Sequence, residues 1–140
     1  VPEDDISTIL MADHGLRLYG NAVIVNTDFA AANGDTVKAF LGAVAAGWKD
    51  AIADPTAAAA ALVKRNPAAD AALEERRLEL AINANVLTNY VKANGMGGID
   101  SARFSAAIKQ LSETYDYKAD PDAALYFTDA YLPAGGFPVK

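Results

Sequence analysis

The stretch LYGNAVIVN, residues 18–26, constrains this chain more than any other. Ala22, Val23, Ile24 and Val25 follow one another without a polar break. A strand with that pattern is apolar on both faces and needs strand neighbours and helix cover on either side. The rest of the sequence offers little to pair with it. Only ISTILMA, residues 6–12, mixes β-branched and long apolar residues between an acidic start and the turn signal Asp13-His14-Gly15, and so also reads as a strand. Two strands do not complete a buried sheet. Either a second copy supplies the missing strands, or they lie upstream in a longer protein.

After Asn26 helix signals take over, up to an irregular tail. Asp28 is expected to cap a short turn through Ala32, with Asn33-Gly34 ending it and Asp35 capping the next helix. Val37, Phe40, Leu41, Val44, Trp48 and Ile52 recur at steps of three and four, which predicts one apolar stripe on a helix reaching about Ala53. Asp54-Pro55 opens an alanine-rich helix carrying Leu62 and Val63, and Asn66-Pro67 repeats the start signal. The third long helix is expected to place Leu73, Arg77, Leu80 and Ala84 on one face, flanked by Leu78 and Ile82, and to end before the glycines of NGMGGID. Asp100 caps a fourth, striped by Phe104, Ile108 and Leu111. In the irregular tail a turn is expected over 121–126, with Phe127, Tyr131 and Leu132 as packing anchors.

Composition removes several classes of function. A net charge of −6 with scattered Lys and Arg gives no basic face for nucleic acid. Zero cysteines exclude disulfides, thiolate metal sites and cysteine nucleophiles, and a single histidine excludes a multi-histidine metal site within one chain. Neither a cofactor nor a metal is expected. No stretch approaches the roughly 20 apolar residues that span a bilayer, and the start VPEDDIS has neither the basic nor the apolar region of a signal peptide.

The polar residues at the mouth of the apolar run carry the functional interest. Tyr19 and Asn21 are two apart, so on a strand both point to one face while Leu18 and Gly20 point to the other. A phenol offers a flat face and a hydroxyl, and an amide offers a donor and an acceptor, which suits a small polar or heteroaromatic ligand. The same pair also suits the closing of a strand end on nearby backbone groups, and residue types alone leave both readings open. Asp13 and His14 are adjacent but would point opposite ways, with no nucleophile beside them, so a turn role is expected. Gly95, Gly97 and Gly98 follow a helix and lack the lysine of a phosphate loop, so they read as a helix terminus. Trp48 reads as core.

In order, ADHGLRLYGNAVIVN, FAAANGDTVKAFLGAVAAGWKDAIADP, LVKRNPAADAALEERRLELAINANVLT, NGMGGIDSARFSAAIKQL and DAYLP resemble the C-terminal part of a bacterial periplasmic substrate-binding protein. The resemblance is to the nitrate, sulfonate and taurine type, and within it to the branch similar to thiamine-pyrimidine synthesis and uptake proteins. It implies an α/β fragment, predominantly α-helical, with two strands and four to five helices, forming part of a two-lobed type II periplasmic-binding fold. Residues 1–26 would be the end of the second lobe and a hinge-crossing strand, and 27–140 the helical C-terminal part of the first lobe. Carried over by position, Tyr19, Gly20 and Asn21 would contact the ligand in the interlobe cleft. The implied partners are a small molecule and the membrane permease of an ABC importer, in a periplasmic or lipid-anchored extracytoplasmic setting. A pyrimidine-biosynthesis enzyme on the same fold and an autonomous helical module are the alternatives. An exposed strand edge would also favour self-association.

Overall fold

A computed structural model describes residues 2, 5–7, 9–118 and 121–139 of the chain. It is predominantly helical, as the sequence implies, with six α-helices among the described residues and one isolated two-residue bridge in place of a sheet. The helices are α1 (Thr27–Ala32), α2 (Gly34–Ala53), α3 (Pro55–Arg65), α4 (Ala71–Ala81), α5 (Asn89–Asn94) and α6 (Ser101–Tyr115). They fall into two compact units. One comprises residues 1–24 with 99–128, and the other comprises 25–98 with 129–140.

Five of the six helices start on the same chemistry. The side chains of Asn26, Asp54, Asp70, Thr88 and Asp100 each accept a hydrogen bond from the backbone N–H three residues on, at 2.9, 2.9, 2.8, 3.2 and 2.8 Å. Each satisfies a donor that the first helical turn leaves without a partner. Asp54 and Asp100 are the caps expected. At α1 the cap is Asn26 rather than Asp28, which lies inside the first turn. At α2 the helix follows Asn33 directly, so Asp35 also lies in the first turn and pairs with Lys38 at 3.4 Å. Asn66-Pro67 opens a turn, and α4 waits for Asp70.

In the larger unit α2 packs on α3, and α3 on α4. Val37 and Ala45 of α2, Ala59 of α3 and Ile82 just past α4 are buried. Leu41, Val44, Trp48 and Ile52 are half-buried along the expected stripe of α2, while Phe40 is exposed. The inward face of α4 differs from expectation. Leu73, Arg77 and Leu80 are exposed, and Leu80 keeps 70% of its surface. Facing α3 instead is Glu75, whose Oε1 accepts from Thr56 Oγ1 at 2.5 Å. Glu75, Leu78 and Ile82 share this helical face, on which Leu78 is half-buried and Ile82 buried. After α4 one wider π-type turn, Ile82–Val86, carries the chain to Thr88 and the short α5, which the sequence reading does not separate from α4.

The glycines after α5 form a lock for the tail. Met96 and Phe137 exchange two backbone hydrogen bonds, 2.7 and 2.9 Å. Gly95 and Gly136 flank that bridge with φ of 78° and 67°. A Cβ on Gly95 would stand 2.5 Å from the carbonyl oxygen of Gly135, and one on Gly136 2.7 Å from that of Met96. Only glycine permits both the dihedral and the approach. Helix termination at Gly95 is as expected, and Leu132 and Tyr131 of the tail pack against Gly97 and Gly34.

The two expected strands are not formed. Residues 11–14 are a turn of 3-10 helix, Met11–His14, and Thr8 of the first stretch lies outside the described residues. Residues 16–26 run without turn or bend, yet no backbone hydrogen bond joins 18–25 to another described residue. A strand is stabilised only by a ladder, and here no second strand adjoins it.

Candidate functional site

The smaller unit is built on α6. Asp100 caps it, Ala107 is buried, and Phe104, Ile108 and Leu111 form the half-buried stripe that the spacing predicts. Against this helix the chain from Gly15 to Tyr19 runs in the opposite direction, and the contacts are side chain to backbone. Gln110 Nε2 donates to the Gly15 carbonyl at 3.2 Å. Arg103 donates from Nε to the Arg17 carbonyl at 3.0 Å and from Nη2 to the Leu18 carbonyl at 2.8 Å. Two long side chains of one helix thus take the place of a neighbouring strand.

Tyr19 closes the arrangement. Its hydroxyl oxygen accepts from the backbone N–H of Asp100 at 2.8 Å, one residue before the first turn of α6. Its ring meets Phe104 edge-on at 6.0 Å, and Phe104 meets Phe127 at 6.4 Å in the same manner. The Arg103 guanidinium carbon lies 4.4 Å from the centroid of the Tyr19 ring, within cation–π range. Tyr19 is half-buried by these contacts.

The other two residues of the predicted site stand differently. Gly20 is exposed, and a Cβ placed there would meet open space to 4 Å. Asn21 is exposed, and its amide makes no hydrogen bond to another described residue. Beyond them Val23 and Ile24 are also exposed, Ile24 to 93%. The structure therefore brings together Tyr19, Arg103 and the start of α6, and leaves Gly20 and Asn21 presented at the edge of that cluster. Chemically this is a cation and an aromatic face beside an amide with both hydrogen-bonding groups open.

Arg103 and Gln110 were not legible as partners of this segment. The one signal was an arginine at the third helical position after Asp100, and nothing local ties it to a residue 85 positions away. Asp13 and His14 lie in the exposed 3-10 turn that Gly15 ends with a φ of 96°. Among the described residues no group of three or more His, Asp or Glu side chains could hold a metal ion, and no helix is long and apolar enough to cross a membrane. In the larger unit a shallow depression at the α2–α3 junction is lined by Gly47 and alanines, with Asp50 and Asp54 at its border. Asp54 is already committed to capping.

Residues 2–58 match the family model described as NMT1/THI5 like, which represents substrate-binding proteins of the nitrate, sulfonate and taurine type. The match spans less than half of the chain and includes Tyr19, Gly20 and Asn21. Neither the curated proteins nor the solved structures contain a significant match.

Proposed function

We propose that the protein is the solute-binding component of an ABC importer. It captures a small polar or heteroaromatic molecule of the nitrate, sulfonate, taurine or pyrimidine class and delivers it to a membrane permease outside the cytoplasm. The observation that carries this reading is the family match over residues 2–58, inside which an open amide, Asn21, follows a braced aromatic residue, Tyr19. On this reading residues 1–26 close the second lobe and cross the hinge, and 27–140 complete the first. Tyr19, Gly20 and Asn21 then face the ligand between the lobes, with the glycine permitting close approach. The exposed apolar run at 22–24 is the part of the crossing strand that further strands cover. Capture works by lobe closure, which presents a surface to the permease, and no bond in the ligand is broken.

A thermal-shift screen of the protein against nitrate, taurine, alkyl sulfonates and pyrimidines tests the reading. A ligand that binds only the folded state stabilises it by about 2.7 kcal/mol at a hundred times its dissociation constant, which corresponds to a rise in Tm of several degrees. No shift from any of these classes at millimolar concentration, with the protein folded, rejects the reading. Turnover of a pyrimidine precursor by the protein would replace it with the biosynthetic alternative.

A further inference from the structure

We infer that Arg103 is a positioning residue for solute capture, one that fixes where Tyr19 stands and so where Gly20 and Asn21 emerge. The inference rests on the reading that residues 19–21 contact the ligand. Three constraints converge on one planar group. Nε is bonded to the Arg17 carbonyl at 3.0 Å, Nη2 to the Leu18 carbonyl at 2.8 Å, and the guanidinium carbon lies 4.4 Å from the Tyr19 centroid. In a regular strand successive residues alternate sides along the pleat. Here two successive carbonyls turn to a single guanidinium, so the backbone is drawn out of a regular pleat just before Tyr19. The Tyr19 hydroxyl, held by the Asp100 N–H, fixes the far end of the ring.

The role is one of geometry rather than charge. Arg103 forms none of the ion pairs found among the described residues, which join Lys38 to Asp35, Arg77 to Glu74 and Lys109 to Glu113. What it supplies is a rigid fork with a flat face. A lysine keeps the charge but has neither the second donor in fixed geometry nor the plane to lie over a ring. Its ammonium has three donors but no planar fork, so it cannot hold both carbonyls in the guanidinium's geometry while lying flat on the ring.

The test compares wild type, Arg103→Lys and Arg103→Ala in two measurements. The first needs no ligand. Backbone order parameters for residues 17–21 and the fluorine resonance of 3-fluorotyrosine at position 19 are read by NMR, with unfolding followed by Trp48 fluorescence as the control in the larger unit. Wild type is expected near the rigid value of about 0.85, and both variants below about 0.6. In both, the fluorine resonance moves toward that of an exposed tyrosine while the Trp48 transition stays in place. The second measurement is the affinity for nitrate, taurine and cytosine as probes. Any of them that binds wild type should lose about tenfold in both variants, the scale of a charge-assisted hydrogen bond.

Wild-type order in Arg103→Ala overturns the proposal. So does full recovery by Arg103→Lys, which would make the effect one of charge, and so does unchanged affinity for a probe that binds. If none of the probes binds wild type but both variants lose order at 17–21, the clamp stands and it is solute capture that has failed.

Discussion

The two units hold their irregular chain by opposite means. In the larger unit the tail is fastened to the glycine turn by backbone alone, through the two hydrogen bonds between Met96 and Phe137. In the smaller unit the segment from Gly15 to Tyr19 is fastened by the side chains of Gln110, Arg103 and Tyr19 itself. A backbone bridge is compact and tolerates no added atom. A bridge through long side chains reaches farther and leaves the N–H groups of Leu18 and Tyr19 without a backbone partner among the described residues, which suits a stretch that presents groups to a ligand.

The comparison breaks most sharply at Gly95. Gly95→Ala places a methyl against the Gly135 carbonyl at a φ that side-chain residues rarely adopt, and strain of this kind costs about 3 kcal/mol where the backbone cannot shift. Urea unfolding followed by Trp48 fluorescence should show the loss. A change under about 1 kcal/mol would mean that the tail lock contributes little to the larger unit.

Next in size is Ile82→Ala. Ile82 keeps only 5% of its surface on the inward face of α4's extension, and removing a buried isoleucine to alanine costs roughly 2–4 kcal/mol. Leu80→Ala, two residues earlier on the exposed side, should cost less than about 0.5 kcal/mol. Equal losses from the two would show that α4 does not turn Ile82 inward and Leu80 outward. The contrast reads α4's rotation directly from denaturation midpoints.

How far the sequence made this legible depends on the range of each interaction. Asp54, Asp100, the α2 stripe and the α6 stripe were legible because their causes lie within a few residues. Asn26 and Asp70 displaced the expected caps Asp28 and Asn66, since several capping side chains stand close together and only the local backbone selects among them. The inward face of α4 was hidden because two apolar sets at helical spacing compete, and Leu78 and Ile82, read as flanking, are the ones buried. The expected strands failed because a strand depends on a neighbour, which residues 18–26 cannot specify alone. Arg103 was hidden for a related reason: a side chain bonded to carbonyls far back in the chain leaves no periodic trace.

Within the site the comparison narrows to single atoms, and Tyr19→Phe is the milder break. It keeps the ring under Arg103 and beside Phe104 and removes the hydroxyl that accepts from the Asp100 N–H at 2.8 Å and donates to the Asp100 carbonyl at 3.5 Å. A net loss of about 1 kcal/mol is expected, the usual worth of one intramolecular hydrogen bond. The backbone amide resonances of α6, followed by NMR during urea unfolding, measure it. No loss would show that Arg103 and Gln110 hold the segment without the Tyr19 hydroxyl.

The smallest expected effect on stability belongs to Asn21→Ala, and it separates the two members of the pair. Tyr19 has a structural task that accounts for its presence without any ligand. Asn21 has none: it is exposed, its amide is bonded to no other described residue, and it caps no helix. Its removal should therefore change stability by less than about 0.5 kcal/mol. If residues 19–21 face a solute, the same change should abolish the thermal shift given by whichever compound stabilises wild type, because the open donor and acceptor would be lost together. Stability and binding would then move independently at Asn21 and together at Tyr19. Retention of the full shift by Asn21→Ala would remove the amide from the site and leave the aromatic face beside Arg103 as the surface to probe.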